Sequence, residues 1–279
     1  MNHKHLSSMQ TPSPTPRRWH ISAAALLTLS LVVSSFAPLT NTLLTSVPTA
    51  QAATLAETLP VVPTINESTK TNLRSILSNG QTQGNRAAVF AKIGDSITAT
   101  GSFLVDMGCP SDPPNNYAGF ATIVEYFKNT SLGASSTWCG TGNSFTRDSR
   151  AAASGWRTNE ILGIATGDAG LRAGCNASES QLACELRQTK PGFALVMIGT
   201  NDVDGIASGD VSINAYKTRL ETIVTQIQQA GTIPVLSTIP PRLDQGGALQ
   251  DEVAQVNQAI IEVAQARNIP TWNYWRALQ

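Results

Sequence analysis

No histidine occurs beyond position 20: His3, His5 and His20 all lie in the extreme N-terminal segment of this 279-residue chain. Whatever chemistry the rest of the chain performs, imidazole cannot be its acid, base or metal ligand. Charge of one sign is missing too. Lys and Arg number 19, Asp and Glu 19, a formal net charge of zero, which gives no support for a nucleic-acid partner. Between Arg18 and Glu57 there is no charged residue at all. The densest apolar run in that stretch, Ile21–Val33, covers about 13 residues, short of the roughly 20 that span a bilayer. Close Cys-x-x-Cys or Cys/His spacings are absent, which argues against a zinc site. Internal repeats and low-complexity tracts are absent as well. After Glu262 no acidic residue follows.

What is present begins with an export pattern. Lys4, Arg17 and Arg18 form a basic start, Ile21–Val33 an apolar centre, and Ala50-Gln51-Ala52 supplies small residues at both specificity positions of a signal-peptidase site. We expect residues 1–52 to be a signal peptide, cleaved after Ala52, with no stable membrane anchor afterwards and a secreted product. An uncleaved anchor is the alternative, disfavoured by the length of the run. Cleavage removes three basic and no acidic groups. The mature chain then holds 16 Lys and Arg against 19 Asp and Glu, a net −3. All four cysteines, Cys109, Cys139, Cys175 and Cys184, lie in this mature part. An even count in an exported chain favours disulfides. Three pairings are open, and we expect Cys175–Cys184, which closes a short loop, with Cys109–Cys139.

Residues 53–84 read as a lead-in: Thr54–Thr64 flexible, then a short helix over Ser68–Ser78 with Leu73, Ile76 and Leu77 on one face. Residues 85–279 form the main domain, 41% of the whole chain being hydrophobic and so able to build a sizeable core. Strands are expected over Ala87–Ile93, Phe193–Ile198, Ile233–Ile239 and Ile269–Tyr274, with a further short one over Ser144–Arg147. Helices are expected over Tyr117–Asn129, Arg157–Ile164, Ile213–Ala230 and Leu249–Arg267. Alternating strands and helices predict an α/β fold, a parallel sheet covered on both faces. Ligands in such sheets bind past the carboxyl ends of the strands.

Two of those ends carry chemistry. Gly94-Asp95-Ser96 follows the first buried strand and Gly199-Thr200-Asn201-Asp202 the second. Each alone is compatible with a turn whose polar side chains bond backbone groups. Together they offer a hydroxyl nucleophile and an amide donor, the parts of acyl transfer. In this order they resemble two sequence blocks of the SGNH (GDSL-type) hydrolase superfamily. A third block, a glycine in a loop before a helix, is matched by Ser154-Gly155-Trp156-Arg157. The resemblance covers roughly Ala87 to Leu278 and implies a flavodoxin-like three-layer α/β fold and an esterase or acylhydrolase. Ser96 would be the nucleophile, and the backbone N–H groups of Ser96 and Gly155 with the Asn201 amide would form the oxyanion hole. No cofactor or metal is implied. Asp95 would brace its own turn and Asp202 would support. The substrate would be a small-molecule, polysaccharide or lipid ester, with Trp138 and Trp156 as aromatics that stack on sugar or pack.

The superfamily's last block, an Asp-x-x-His, has no match. The aromatic run Ile269–Leu278 ends without a polar tail, so we expect a fragment truncated before that block. The rival is a complete, non-catalytic extracellular module that binds a carbohydrate or another ligand in the same cleft.

Overall fold

The computed structural model describes residues 54–109, 119–133, 139–140, 142–164 and 172–279. The chain divides into two units, Met1–Ala50 and Gln51–Gln279, and the signal peptide expected over 1–52 lies outside the described residues, as do Tyr117 and Trp138.

Four parallel strands, β1 (Arg86–Gly94), β2 (Pro191–Met197), β3 (Ile233–Ser237) and β4 (Thr271–Trp272), pair in that order. Residue Ala152 adds a parallel bridge to Gly94 on the outer side of β1. Helices cover both faces, as the alternating pattern predicts. On one face lie α6 (Thr158–Leu162), α7 (Gln181–Thr189), α9 (Ile213–Gln229) and α10 (Gln250–Ala266). They bury Ile161, Leu182, Leu220, Ile223, Val256 and Ile260 against Ala91, Ile93, Ala194, Val196 and Leu236 of the strands. The period of α9 was legible: Ser212 caps it by accepting from the Ala215 amide, and Tyr216, Leu220, Ile223, Val224 and Ile227 are all buried. Each such side chain contributes about 1.5–3 kcal/mol on leaving water. On the other face, Met107 of α4 (Val105–Gly108) and Val124 and Phe127 of α5 (Ala121–Lys128) pack with Phe90 and Phe145. Phe127 and Phe145 meet Phe90 edge-on at ring separations of 5.2 and 5.0 Å, a favoured aromatic geometry.

Several expectations are corrected. Ser144–Arg147 is a turn, because the Asn143 Oδ1 accepts the amides of Phe145 and Thr146 and folds the chain back. Gln181–Thr189, unpredicted, is helical under a Ser180 cap. The last strand shrinks to two residues, since Asn273 leaves the sheet to cap α11 (Tyr274–Ala277). The helix expected over Ser68–Ser78 extends to α2 (Glu67–Thr82), capped by Asn66.

The stretch expected to be a flexible lead-in is docked. Its helix α1 (Leu55–Thr58) has a reciprocal cap between Thr54 and Glu57, and Ala56 is buried. The fully buried Asn273 fastens it: its side-chain amide donates to the carbonyls of Ala56 and Leu59, both at 2.8 Å, and its backbone N–H donates to Val61 O at 2.9 Å. A buried amide with every group engaged is an expensive contact to break.

The cysteines pair as Cys109–Cys139 and Cys175–Cys184, with Cα separations of 5.7 and 5.3 Å, ordinary for disulfides. The Glu179 carboxylate stands near both sulfurs of the second bridge. Those sulfurs are committed to the bridge, and Glu179 pairs with Arg187 at 2.7 Å. Among the described residues no helix is long and apolar enough to cross a membrane.

Candidate active site

β1 ends on Gly94 because nothing larger fits: a Cβ there would collide with the Thr98 hydroxyl and the carbonyl of Met197 on β2. The chain then turns into the short helix α3 (Ser96–Ala99). Asp95 caps it, its Oδ1 accepting the Ile97 amide at 2.9 Å, the bracing role expected for it. Ser96 takes the first helical position. Its side chain is exposed, and its backbone N–H belongs to the set that helices leave without internal partners.

Gly155 reaches the same edge from a separate segment. Gly94 N–H donates to Ala151 O at 3.0 Å, and Ala153 N–H donates to Gly94 O at 3.4 Å. This pairing lays 151–153 alongside the end of β1 and delivers Gly155 just beyond it. Gly155 has φ +77°, a left-handed conformation that favours glycine, and the space where a Cβ would stand is open.

Asn201 comes from the turn after β2, at the start of α8 (Asp202–Ala207). Its Nδ2 donates to the carbonyl of Trp156 at 2.9 Å. A side-chain amide has two N–H donors, so this bond fixes the Asn201 amide beside Gly155 and leaves a second donor. Next to it, Asp202 is buried and accepts from Thr158 twice, from the amide at 3.1 Å and from the hydroxyl at 2.7 Å. That clamp ties the N-terminus of α6, and with it the Gly155 loop, to the Asn201 turn. Thus Ser96, Gly155 and Asn201, from three segments, are assembled at the carboxyl edge of one sheet. Trp156 packs against the main core and supplies only its backbone to the contact.

Burial governs the electrostatics here. It raises the Asp95 carboxyl above its ordinary 3.8, against the Ile97 amide and the Thr200 hydroxyl, which pull it back. Burial raises Asp202 likewise, against the Thr158 hydrogen bonds and the charges of Arg219 and Arg157. Asp95 Oδ1 and both oxygens of Asp202 are engaged in these clamps.

Sequence reasoning missed Arg242, just past β3. Its guanidinium donates to Thr200 O at 2.8 Å and forms ion pairs with Asp204 at 3.2 Å and Asp244 at 2.6 Å. The hydrogen bonds it donates to Asp244 and Asp204 hold it further toward the charged form. It pins the backbone of the Asn201 turn from the far side. A lone arginine after Pro240-Pro241 carries no local signal of that role. The Thr158–Asp202 clamp, between residues 44 positions apart, is equally invisible along the chain.

Comparison with known proteins adds the following. The model of a family described as GDSL-like Lipase/Acylhydrolase matches residues 93–279. No curated protein matches the chain. Among solved structures, the chain is similar to an acetyl xylan esterase at 14% identity and a TM-score of 0.41, over 65% of this chain and 75% of that one. An acetylxylan esterase from Geobacillus stearothermophilus aligns at 13% identity and a TM-score of 0.37, over 67% of this chain and 76% of that one. A GDSL-like lipase from Bacteroides thetaiotaomicron aligns at 12% and 0.38, over 72% and 76%.

Proposed function

The chain belongs to the GDSL-like lipase/acylhydrolase family, and from that premise we propose that it is an exported serine esterase with Ser96 as nucleophile. The observation that carries the reading is the bond from Asn201 to Trp156 O together with the pairing of Gly94 with 151–153. These two links support the reading that residues spread from 96 to 201 act together at one sheet edge.

The chemistry runs in two halves. Ser96 Oγ attacks the ester carbonyl while a base takes its proton. The carbonyl oxygen, now an anion, receives hydrogen bonds from the N–H groups of Ser96 and Gly155 and the second N–H of Asn201. Collapse expels the alcohol, which takes up the proton, and leaves Ser96 acylated. Water then attacks, with the same base assisting, and releases the acid. The donors are held before the reaction, by α3, by the left-handed turn at Gly155 and by Trp156 O, so they require no reorganisation as charge develops.

Residues 53–279 contain no imidazole, and a serine hydroxyl without a base is a weak nucleophile at neutral pH. Residues 53–279 expressed alone are therefore expected to turn over p-nitrophenyl acetate poorly and to be rescued by added imidazole. Ser96→Ala abolishes the rescued component. Asn201→Ala lowers it by about 10²–10³. Imidazole-dependent hydrolysis identical in wild type and Ser96→Ala overturns the nucleophile and leaves the reading of a ligand-binding module on the same fold.

The export half of the proposal rests on the basic, apolar and small-residue pattern of residues 1–52 and on two disulfides, bonds suited to an oxidising compartment. The secreted material is expected to begin at Ala53. A retained Met1 on N-terminal sequencing refutes it.

A further inference from the structure

At the opposite end of the sheet from Ser96, a cavity of about 550 Å³ opens between α7 and α9. Asn85, Lys190 and Ala230 line it, and they lie at the starts of β1, β2 and β3. At a rise of about 3.3 Å per residue, the length of a strand puts it on the order of 25 Å from the Ser96 edge. Its volume suits a small organic ligand, but its lining is not the apolar one usual for such sites. Gln83, Asn85, Gln226 and Gln229 supply side-chain amides, Ser178 and Ser180 hydroxyls, and Arg187 and Lys190 positive charge. Among the described residues no carboxylate and no aromatic ring lines it.

Much of this polarity is uncommitted. Among the described residues, the side-chain amides of Gln226 and Gln229 and the Ser178 hydroxyl have no hydrogen-bond partner. Asn85 gives its NH₂ to Ala230 O at 2.7 Å and to the Thr232 hydroxyl at 3.3 Å, which leaves its carbonyl oxygen to accept. The two cations differ. Arg187 is paired with Glu179 at 2.7 Å. Lys190 forms no ion pair among the described residues, and its ammonium donates only to Gln83 O, at 3.4 Å. The cavity therefore holds one uncompensated positive charge. Lys190 also sits at φ 46° and ψ 57°, the left-handed region, as the C-cap of α7. Glycine is the usual residue at such a helix end. A cation suits the helix dipole, but Arg187 already supplies one in the last turn. A strained lysine where glycine would relax the backbone points to a use for its side chain.

We propose that this cavity is a second binding site, separate from the proposed ester-cleaving edge, for a sugar that bears one carboxylate, a uronate. The Lys190 ammonium takes the carboxylate in a charge-assisted bond. An amide side chain both donates and accepts, as each sugar hydroxyl does, so Gln226, Gln229 and the Asn85 oxygen match a ring of hydroxyls in either role. The lack of aromatic rings leaves little for a nucleobase to stack on. The lack of a carboxylate in the lining leaves nothing to repel the anion. None of this chemistry requires Ser96, so the proposal stands or falls apart from the nucleophile.

The test uses the full chain with ¹⁵N-labelled glutamine, the Gln226 side-chain signal being assigned through Gln226→Leu. Glucuronate, glucose and inorganic phosphate are titrated in turn. Glucuronate is expected to shift the Gln226 signal saturably, with a Kd at least tenfold lower than that of glucose, which lacks the charge, or of phosphate, which lacks the ring. Lys190→Gly removes the charge and relieves the left-handed backbone. It is expected to melt no lower than wild type and to bind glucuronate no better than glucose. Lys190→Met, which keeps part of the stem, is expected to show the same loss and decides the matter if the glycine variant does not fold. Ser96→Ala is expected to bind glucuronate as wild type does. Glucose or phosphate binding as tightly as glucuronate overturns the proposal, as does a Gln226 signal indifferent to glucuronate. So does a preference that survives in the Lys190 variants, or a loss of binding in Ser96→Ala, which would put the ligand at the other edge.

Discussion

After β1, Asp95 turns back onto its own helix, accepting the Ile97 amide two residues on. After β2, the corresponding carboxylate, Asp202, reaches across 44 residues to hold Thr158 by both its amide and its hydroxyl. The same second turn is bound again by Asn201 to Trp156 O and by Arg242 to Thr200 O. One turn is closed locally and leaves Ser96 exposed. The other is closed by two distant segments, 156–158 and Arg242, and fixes an amide. The comparison teaches where rigidity is needed: the proposed nucleophile is set by the end of its strand, whereas the proposed oxyanion donors must be set relative to one another.

Removing each carboxylate is the strongest way to break this contrast. Asp202→Ala leaves a buried Thr158 amide and hydroxyl without partners, and is expected to destabilise by about 2–3 kcal/mol. Asp95→Ala loses one helix cap, an expected cost of about 1 kcal/mol. Urea unfolding of the two variants measures both. Equal losses, or the reverse order, would mean that the Asp202 clamp does not anchor the Gly155 loop.

A smaller effect sharpens the contrast through pH. The folded Asp202 carboxyl is raised above its ordinary 3.8 by burial, so the native state holds its proton more tightly than the unfolded chain. Its contribution to stability is complete below about pH 3.8 and is lost as pH rises through the raised value. Asp202→Asn keeps an oxygen acceptor for Thr158 and does not titrate. Its melting temperature relative to wild type is therefore expected to improve from pH 4 to pH 7. A difference that stays flat across that range would show that burial does not penalise the ionised carboxylate.

Much of the fold was legible because it is written in local periods. The inward stripe of α9 and the buried runs of β1 and β2 each repeat at the spacing of their element, and their boundaries fall within a few residues of expectation. Errors fell where one side chain overrules its neighbourhood. Asn143 turns a stretch that reads as strand, and Asn273 both ends β4 early and captures the N-terminal segment. An asparagine announces a turn or a cap, but not which distant carbonyl it will satisfy.

By itself the sequence determined the two strand-turn blocks and most of the helices that cover the sheet, because apolar period and glycine act over a few residues; it left three cysteine pairings open. Only the tertiary structure decided that Gly155 stands next to Asn201, that Arg242 holds the second turn and that residues 54–62 are docked. Those outcomes depend on contacts between residues tens to hundreds of positions apart, and they form only after the sheet has brought the ends of its strands to one edge.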